Sequence, residues 1–217
     1  MLRIVLGLGL VGGAAHAQLA QRQPTERVLV LPLQAAAADS VLSVQVMDVA
    51  RARLEDLARY RALVVTKAKL CEALTASGFH CDEILDEQES RQLARFLSLQ
   101  AYTYGRVERR AGRLAASVRV IDIGSSGFAR AFDVTDANPG TPAGLGELIA
   151  QRMNAVIRAG EHARECNQQR QRGQLQRALN AARKGLEADP DLTSAHLCMI
   201  LTYEALRLPH DSIIAAA

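Results

Sequence analysis

Tryptophan is absent from this 217-residue chain, and four tyrosines and four phenylalanines are its only aromatic residues. No stacking platform for nucleic-acid bases or sugar rings is advertised. A surplus of one charge is missing as well: 26 Lys and Arg stand against 23 Asp and Glu, a net charge of +3. That excess is too small to point to nucleic acid or an anionic membrane. Catalytic signatures are equally scarce. Gly124-Ser125-Ser126-Gly127 lacks the lysine of a phosphate-cradling loop and is not a G-x-S-x-G nucleophile elbow. Neither C-x-x-C nor H-E-x-x-H occurs, so no metal and no cofactor are expected. A triad assembled from distant positions carries no local signature. A hydrolase, or a regulator of one, with a non-local site between domains therefore stays an alternative to the non-enzymatic reading developed below.

What the chain does have begins at its front. Met1-Leu2-Arg3 is a short basic start, a ten-residue apolar run follows, and Ala15-His16-Ala17 supplies a small-x-small cleavage site. Residues 1–17 read as a secretory signal peptide. The apolar run is shorter than the roughly 20 residues of a membrane span, no later segment is apolar enough to cross, and no cysteine follows the site to take a lipid. The mature chain is expected in the periplasm, with an outer-membrane-associated position left open. Four cysteines suit an oxidising compartment. Cys71 and Cys81 flank a nine-residue segment, and Cys166 and Cys198 fall at nearly equivalent places in successive helices. Two local disulfides are the natural pairing among three connectivities, beside free buried thiols. Metal readings that join His80 to Cys71 and Cys81, or His162 and Cys166 to His196 and Cys198, lack ligand spacing.

The middle of the chain predicts an α/β domain over residues 18–136. Arg27 to Leu33 is a continuous apolar run ended by proline, as in a strand buried on both faces. Asp39 or Ser40 is placed to cap a helix with Val44, Met47, Ala50, Leu54 and Leu57 inward and Arg51, Arg53, Glu55 and Asp56 outward. Ala62 to Thr66 is the next strand. A short helix spans Lys69 to Ala76, and the acidic DEILDEQE run precedes a helix through Arg91 to Leu97, where carboxylates favour the positive helix end. Ala101–Val107 and Arg113–Ile121 form a hairpin about Arg110-Ala111-Gly112, and Phe128–Val134 follows. The expected sheet is mixed, with a βαβ start and a β-meander end. This succession, above all RVLVLPL and LSLQAYTYGRV through VRVIDIGSSG, resembles the amino-terminal domain of the TolB family and the related α/β domain of curli-secretion and flagellar accessory proteins. The resemblance covers Arg27 to about Asp136 and implies a recognition or assembly module of the bacterial envelope.

Ala137 to Pro142 is a turn-forming linker. Leu145, Leu148, Ile149, Met153, Val156 and Ile157 then mark an amphipathic helix that leads into the last third near Gly160. Linker and connecting helix occupy residues 137–159. From there Leu175, Ala178, Leu179, Ala182 and Leu186 line one helix face, with Gln176, Arg177, Asn180, Arg183 and Lys184 on the other. Gly173 and Pro190 punctuate the helix at either end. Thr193 or Ser194 is placed to cap the next helix, which carries Leu197, Ile200, Leu201 and Tyr203 toward its neighbours. Gly173, Ala178, Gly185-Leu186, Asp189-Pro190 and Tyr203 stand at the spacing of the tetratricopeptide repeat, which this segment, residues 160–217, resembles. His162, Glu165 and Gln169 stand where apolar residues are usual, and the second unit is expected to continue in a longer array. The resemblance implies a scaffold whose helices bind a protein or peptide near His162, Gln169, His196 and Tyr203, while the α/β domain docks another envelope component. A homo-oligomer and a small-ligand sensor stay open.

Overall fold

Alternate residues of the first apolar run point to opposite sides of a sheet, and both sides are buried. Val28 and Val30 join one core cluster, Leu29 and Leu31 another. The computed structural model describes residues 26–123, 129–136 and 141–206. The expected signal peptide, the 124–127 turn, linker residues 137–140 and the 207–217 part of the second repeat lie outside the described residues. Among the described residues the chain forms a mixed five-stranded sheet and six α-helices. In order these are β1 (Glu26–Leu29), α1 (Ser40–Leu57), β2 (Ala62–Val64), α2 (Lys67–Ala76), α3 (Glu87–Phe96), β3 (Ala101–Arg110), β4 (Arg113–Asp122), β5 (Ala129–Thr135), α4 (Pro142–Gln171), α5 (Leu175–Ala188) and α6 (Thr193–Ala205). The strand order is β2-β1-β3-β4-β5, parallel on either side of β1 and antiparallel from β3 onward. Helices α1 and α4 cover one face, and α2 and α3 pack on the other over β1 and β3.

The first strand ends sooner than the apolar run, at Leu29 rather than Leu33. Side chains replace the ladder beyond it. Thr103 Oγ1 accepts the Leu31 amide at 2.9 Å, Ser43 Oγ accepts the Leu33 amide at 2.9 Å, and Pro32 has no amide to satisfy. The backbone rejoins β3 at a single parallel bridge, Gln34 to Arg106.

Arg51 is the clearest correction. Expected on the wet face of α1, it is only 4 % exposed. Positions 47, 51 and 54 share a helix face, and the Arg51 guanidinium donates to the Val30 carbonyl at 2.7 Å while pairing with Asp48. Asp48 also pairs with Lys67, which reaches Asp82 at 2.9 Å. The bond to Asp48 chiefly raises the Lys67 pKa above its usual value, against the opposing effect of desolvation. Smaller corrections concern caps. Asp39 makes no side-chain bond to the α1 start and pairs instead with Arg109 at 3.2 Å. Leu192 rather than Thr193 or Ser194 precedes α6, with no side-chain cap. Leu197 is 49 % exposed rather than packed.

Other local chemistry follows the residues. Thr66 ends the second strand early by capping α2. Asp86 and Glu89 form a reciprocal capping box at α3, so part of the acidic run is helix-start chemistry. Ala111 and Gly112 both adopt positive φ, the conformation a two-residue hairpin turn requires. Thr141 caps α4 and Pro142 stands in its first turn. That helix continues for 30 residues through Gly160, so the border between connecting helix and repeats falls inside one rod. Gly146 lets it lie close on α1: a Cβ there would stand 2.6 Å from the Val46 carbonyl oxygen. Gly173, at φ +71, makes the left-handed stop before α5.

Candidate functional site

Two ion pairs tie the helical segment to one end of the sheet. On β5, Arg130 shares a face with Phe132 and Val134, toward α4. It donates to both carboxylate oxygens of Asp189 at 2.6 Å and to Asp191 at 3.3 Å, just beyond α5. The Asp189 side chain is only 10 % exposed. Its hydrogen bonds chiefly raise the Arg130 pKa above the arginine value, outweighing desolvation. The fork geometry fixes direction as well as charge. At the start of β1, Glu26 accepts from Arg164 of α4 at 2.9 Å.

Between these clamps lies a cleft of ≈ 470 Å³. Its walls come from the starts of β1, β3 and β5 and the end of β4 on one side, and from α4 and the beginning of α6 on the other. Apolar surface from Val120, Val156 and Leu192 adjoins the amide and hydroxyl groups of Asn167, Gln168 and Ser194. Among the described residues no histidine or cysteine lines it. At the opposite end of the sheet, where ligands of open α/β folds usually bind, the Arg51 guanidinium occupies the Val30 carbonyl just beyond β1. A small apolar area beside neutral donors and acceptors, flanked by charges of both signs, suits an uncharged polar chain such as a peptide.

The four helix residues singled out from the sequence do not line this cleft. His162 packs against Gly185 of α5, with Nδ1 3.5 Å from Glu165. In the last turn of α4, the Gln169 carbonyl accepts the Gln174 amide at 2.9 Å. His196 Nε2 sits 2.8 Å from the Pro190 carbonyl. Tyr203 packs on the cluster around Cys166 and Cys198. The cysteines pair as Cys71–Cys81 and Cys166–Cys198, the second bridge joining α4 to α6 across a Cα separation of 6.4 Å. Among the described residues no group of three or more His, Cys, Asp or Glu is placed to hold a metal, and no helix is long and apolar enough to cross a membrane. Arg130, Asp189, Glu26 and Arg164 escaped the sequence reading because their pairs lie 59 and 138 positions apart. The only local hint was Asp189-Pro190, read as a turn.

No family model and no curated protein matches the chain. Solved structures share part of its course, three of them as follows. The LpoB C-terminal domain from Salmonella enterica is 12 % identical, covers 51 % of this chain and 82 % of its own, and has a TM-score of 0.38. The PelC dodecamer from Paraburkholderia phytofirmans is 12 % identical over 58 % of this chain and 82 % of its own, at 0.33. Lipoprotein GNA1162 from Neisseria meningitidis is 16 % identical over 59 % and 94 %, at 0.38. At TM-scores this low the chain is similar to these proteins in part of its course, and no function passes from them to it.

Proposed function

We propose that this protein is an exported, non-enzymatic interaction module of the bacterial cell envelope, which holds a segment of a protein partner in the cleft between its sheet and its α4–α6 helices. The observation that carries this reading is the cleft itself: two separate parts of the fold build it, and ion pairs brace them. The disulfides support the compartment, since all four cysteines are paired and such bonds persist outside the reducing cytoplasm. The resemblances to the TolB amino-terminal domain and to the tetratricopeptide repeat agree with a role in assembly. In this reading the α/β domain docks one component and the helices contribute the surface for another.

Affinity purification from envelope extract tests it, comparing the wild type with Gln168→Trp, a substitution that fills the cleft from an exposed position of α4. The expected outcome is a partner retained by the wild type and lost by the variant at unchanged melting temperature. Identical captures by both, or no capture by either, contradict the reading. The cleft volume favours a second reading, a small-ligand sensor, because ligand pockets commonly enclose about 300–1,000 Å³. Thermal-shift screening separates the two: a small ligand that binds only the folded state raises the midpoint without any protein partner.

A further inference from the structure

The small net charge of the whole chain conceals a segregation. From Cys166 to Leu186 the chain carries five cations, Arg170, Arg172, Arg177, Arg183 and Lys184, and no Asp or Glu. That stretch is the end of α4, the turn at Gly173 and most of α5. Arg172, Arg177, Arg183 and Lys184 are exposed, and Arg170 is half-buried. Ala178, Leu179, Ala181, Ala182 and Gly185 are the buried residues of α5. At about 100° per residue, positions 177, 180, 183 and 184 then share an arc of roughly 120° on its outer face.

None of the five cations makes an ion pair among the described residues. Arg177 reaches only the Gln174 side-chain oxygen, at 3.0 Å. The acids on either side are engaged elsewhere: Glu161 with Arg61, Glu165 beside His162, Asp189 and Asp191 with Arg130. Glu187, exposed near the end of α5, is the one acid along its outer face among the described residues. Arg177 moreover stands in the first turn of α5, whose positive end disfavours a cation, and no acid accompanies it there. An anion lying against this face relieves the repulsion. The face also lacks a hollow: the cleft and the grooves of the described surface include no residue from 172 to 187. None of the exposed large apolar side chains lies on α5.

We propose that the outer face of α5, with Arg172 at its start, is a docking surface for an anionic phospholipid membrane. Shape decides between partners. A protein segment is held by anchors seated in pockets, and a single-stranded nucleic acid by stacking on aromatic rings; this face offers neither. Duplex nucleic acid is set aside by compartment, a step that rests on the export proposed above. A lipid surface asks only for cations spread over a face that can reach it, each strengthening partitioning about fivefold. Without exposed apolar residues to insert, the helix rests at the level of the headgroups. The surface is separate from the cleft, whose lining stops at Gln171 on α4 and resumes at Leu192.

Co-sedimentation of the purified mature protein with vesicles tests this. Phosphatidylcholine vesicles containing about 30 % phosphatidylglycerol are expected to bind it at about 0.05 M salt and to release it at about 0.5 M, while pure phosphatidylcholine leaves it in solution. Arg177→Gln with Lys184→Gln is expected to weaken binding about 25-fold at an unchanged melting temperature, because both side chains are exposed and glutamine suits a helix. Arg172→Gln with Arg183→Gln repeats the test with other residues of the same face and is expected to give a similar loss. Arg106→Gln with Arg113→Gln removes the same charge from exposed arginines of β3 and β4 that make no ion pair among the described residues. That pair is expected to bind within about twofold of the wild type, since screening confines the attraction to cations near the surface. The cleft variant Gln168→Trp is expected to bind vesicles as the wild type does, so the two surfaces fail or stand independently. No binding to the anionic vesicles, equal losses from the α5 and β3–β4 pairs, or tighter binding of poly-glutamate or of a DNA duplex than of the vesicles overturns the proposal.

Discussion

Arg51 shows how a single side chain escapes a pattern reading. Its neighbours Arg53, Glu55 and Asp56 are exposed as polar helix residues should be, and the same pattern puts Arg51 among them. Position 51 nevertheless lies on the stripe of Met47 and Leu54, and the carbonyl left open where β1 ends needs a donor. The guanidinium supplies it and pairs with Asp48. Removing one partner of a buried charged bond costs more than the bond itself contributes, because the other partner is left unsatisfied. Arg51→Ala is therefore expected to lower unfolding free energy by about 2–4 kcal/mol. Arg53→Ala, which loses an exposed pair with Glu147, should cost below about 1 kcal/mol. Denaturant titration of both variants checks the contrast, and equal losses would contradict the buried role of Arg51.

At the scale of elements, much of the fold was legible. Apolar runs and helix-face periodicity located the five strands and most of the helices among the described residues, because those patterns record which faces are buried; α4, read as two helices meeting near Gly160, is one. What stayed hidden was held by contacts distant in sequence. Thr103 and Ser43 take over the ladder beyond Leu29, and nothing near residues 30–33 announces that. Gly160 looked like a border, yet α4 runs through it, a position where one glycine in a long helix costs only about 1 kcal/mol. The cysteine spacing was informative because Cys166 and Cys198 lie where α4 and α6 pack against each other. The bridge from Cys166 to Cys198 closes a separation of 32 residues, for which restriction of the unfolded chain corresponds to about 3–4 kcal/mol. Joint replacement Cys166→Ala and Cys198→Ala is expected to lower stability by about that amount in denaturant titration. A loss below about 1 kcal/mol would show that helix packing alone holds α6.

For the whole molecule, the junction matters more than either part. The helix residues His162, Gln169, His196 and Tyr203 came from repeat spacing, which reports where helices face one another. In the fold these positions are half-buried and lie outside the cleft. The cleft arises only when the sheet end meets α4 and α6, and its braces join residues that no local motif connects. Residue type gave no warning either, since arginine and aspartate on strand ends and turns are ordinary surface residues. The most direct test of the central claim is photo-crosslinking in cells, with a photoreactive residue in place of Gln168 in the cleft or of Asn180 on the exposed face of α5. The account predicts a discrete crosslinked protein partner from position 168 and none from 180. Equal crosslinking at both positions, or none at 168, would contradict it.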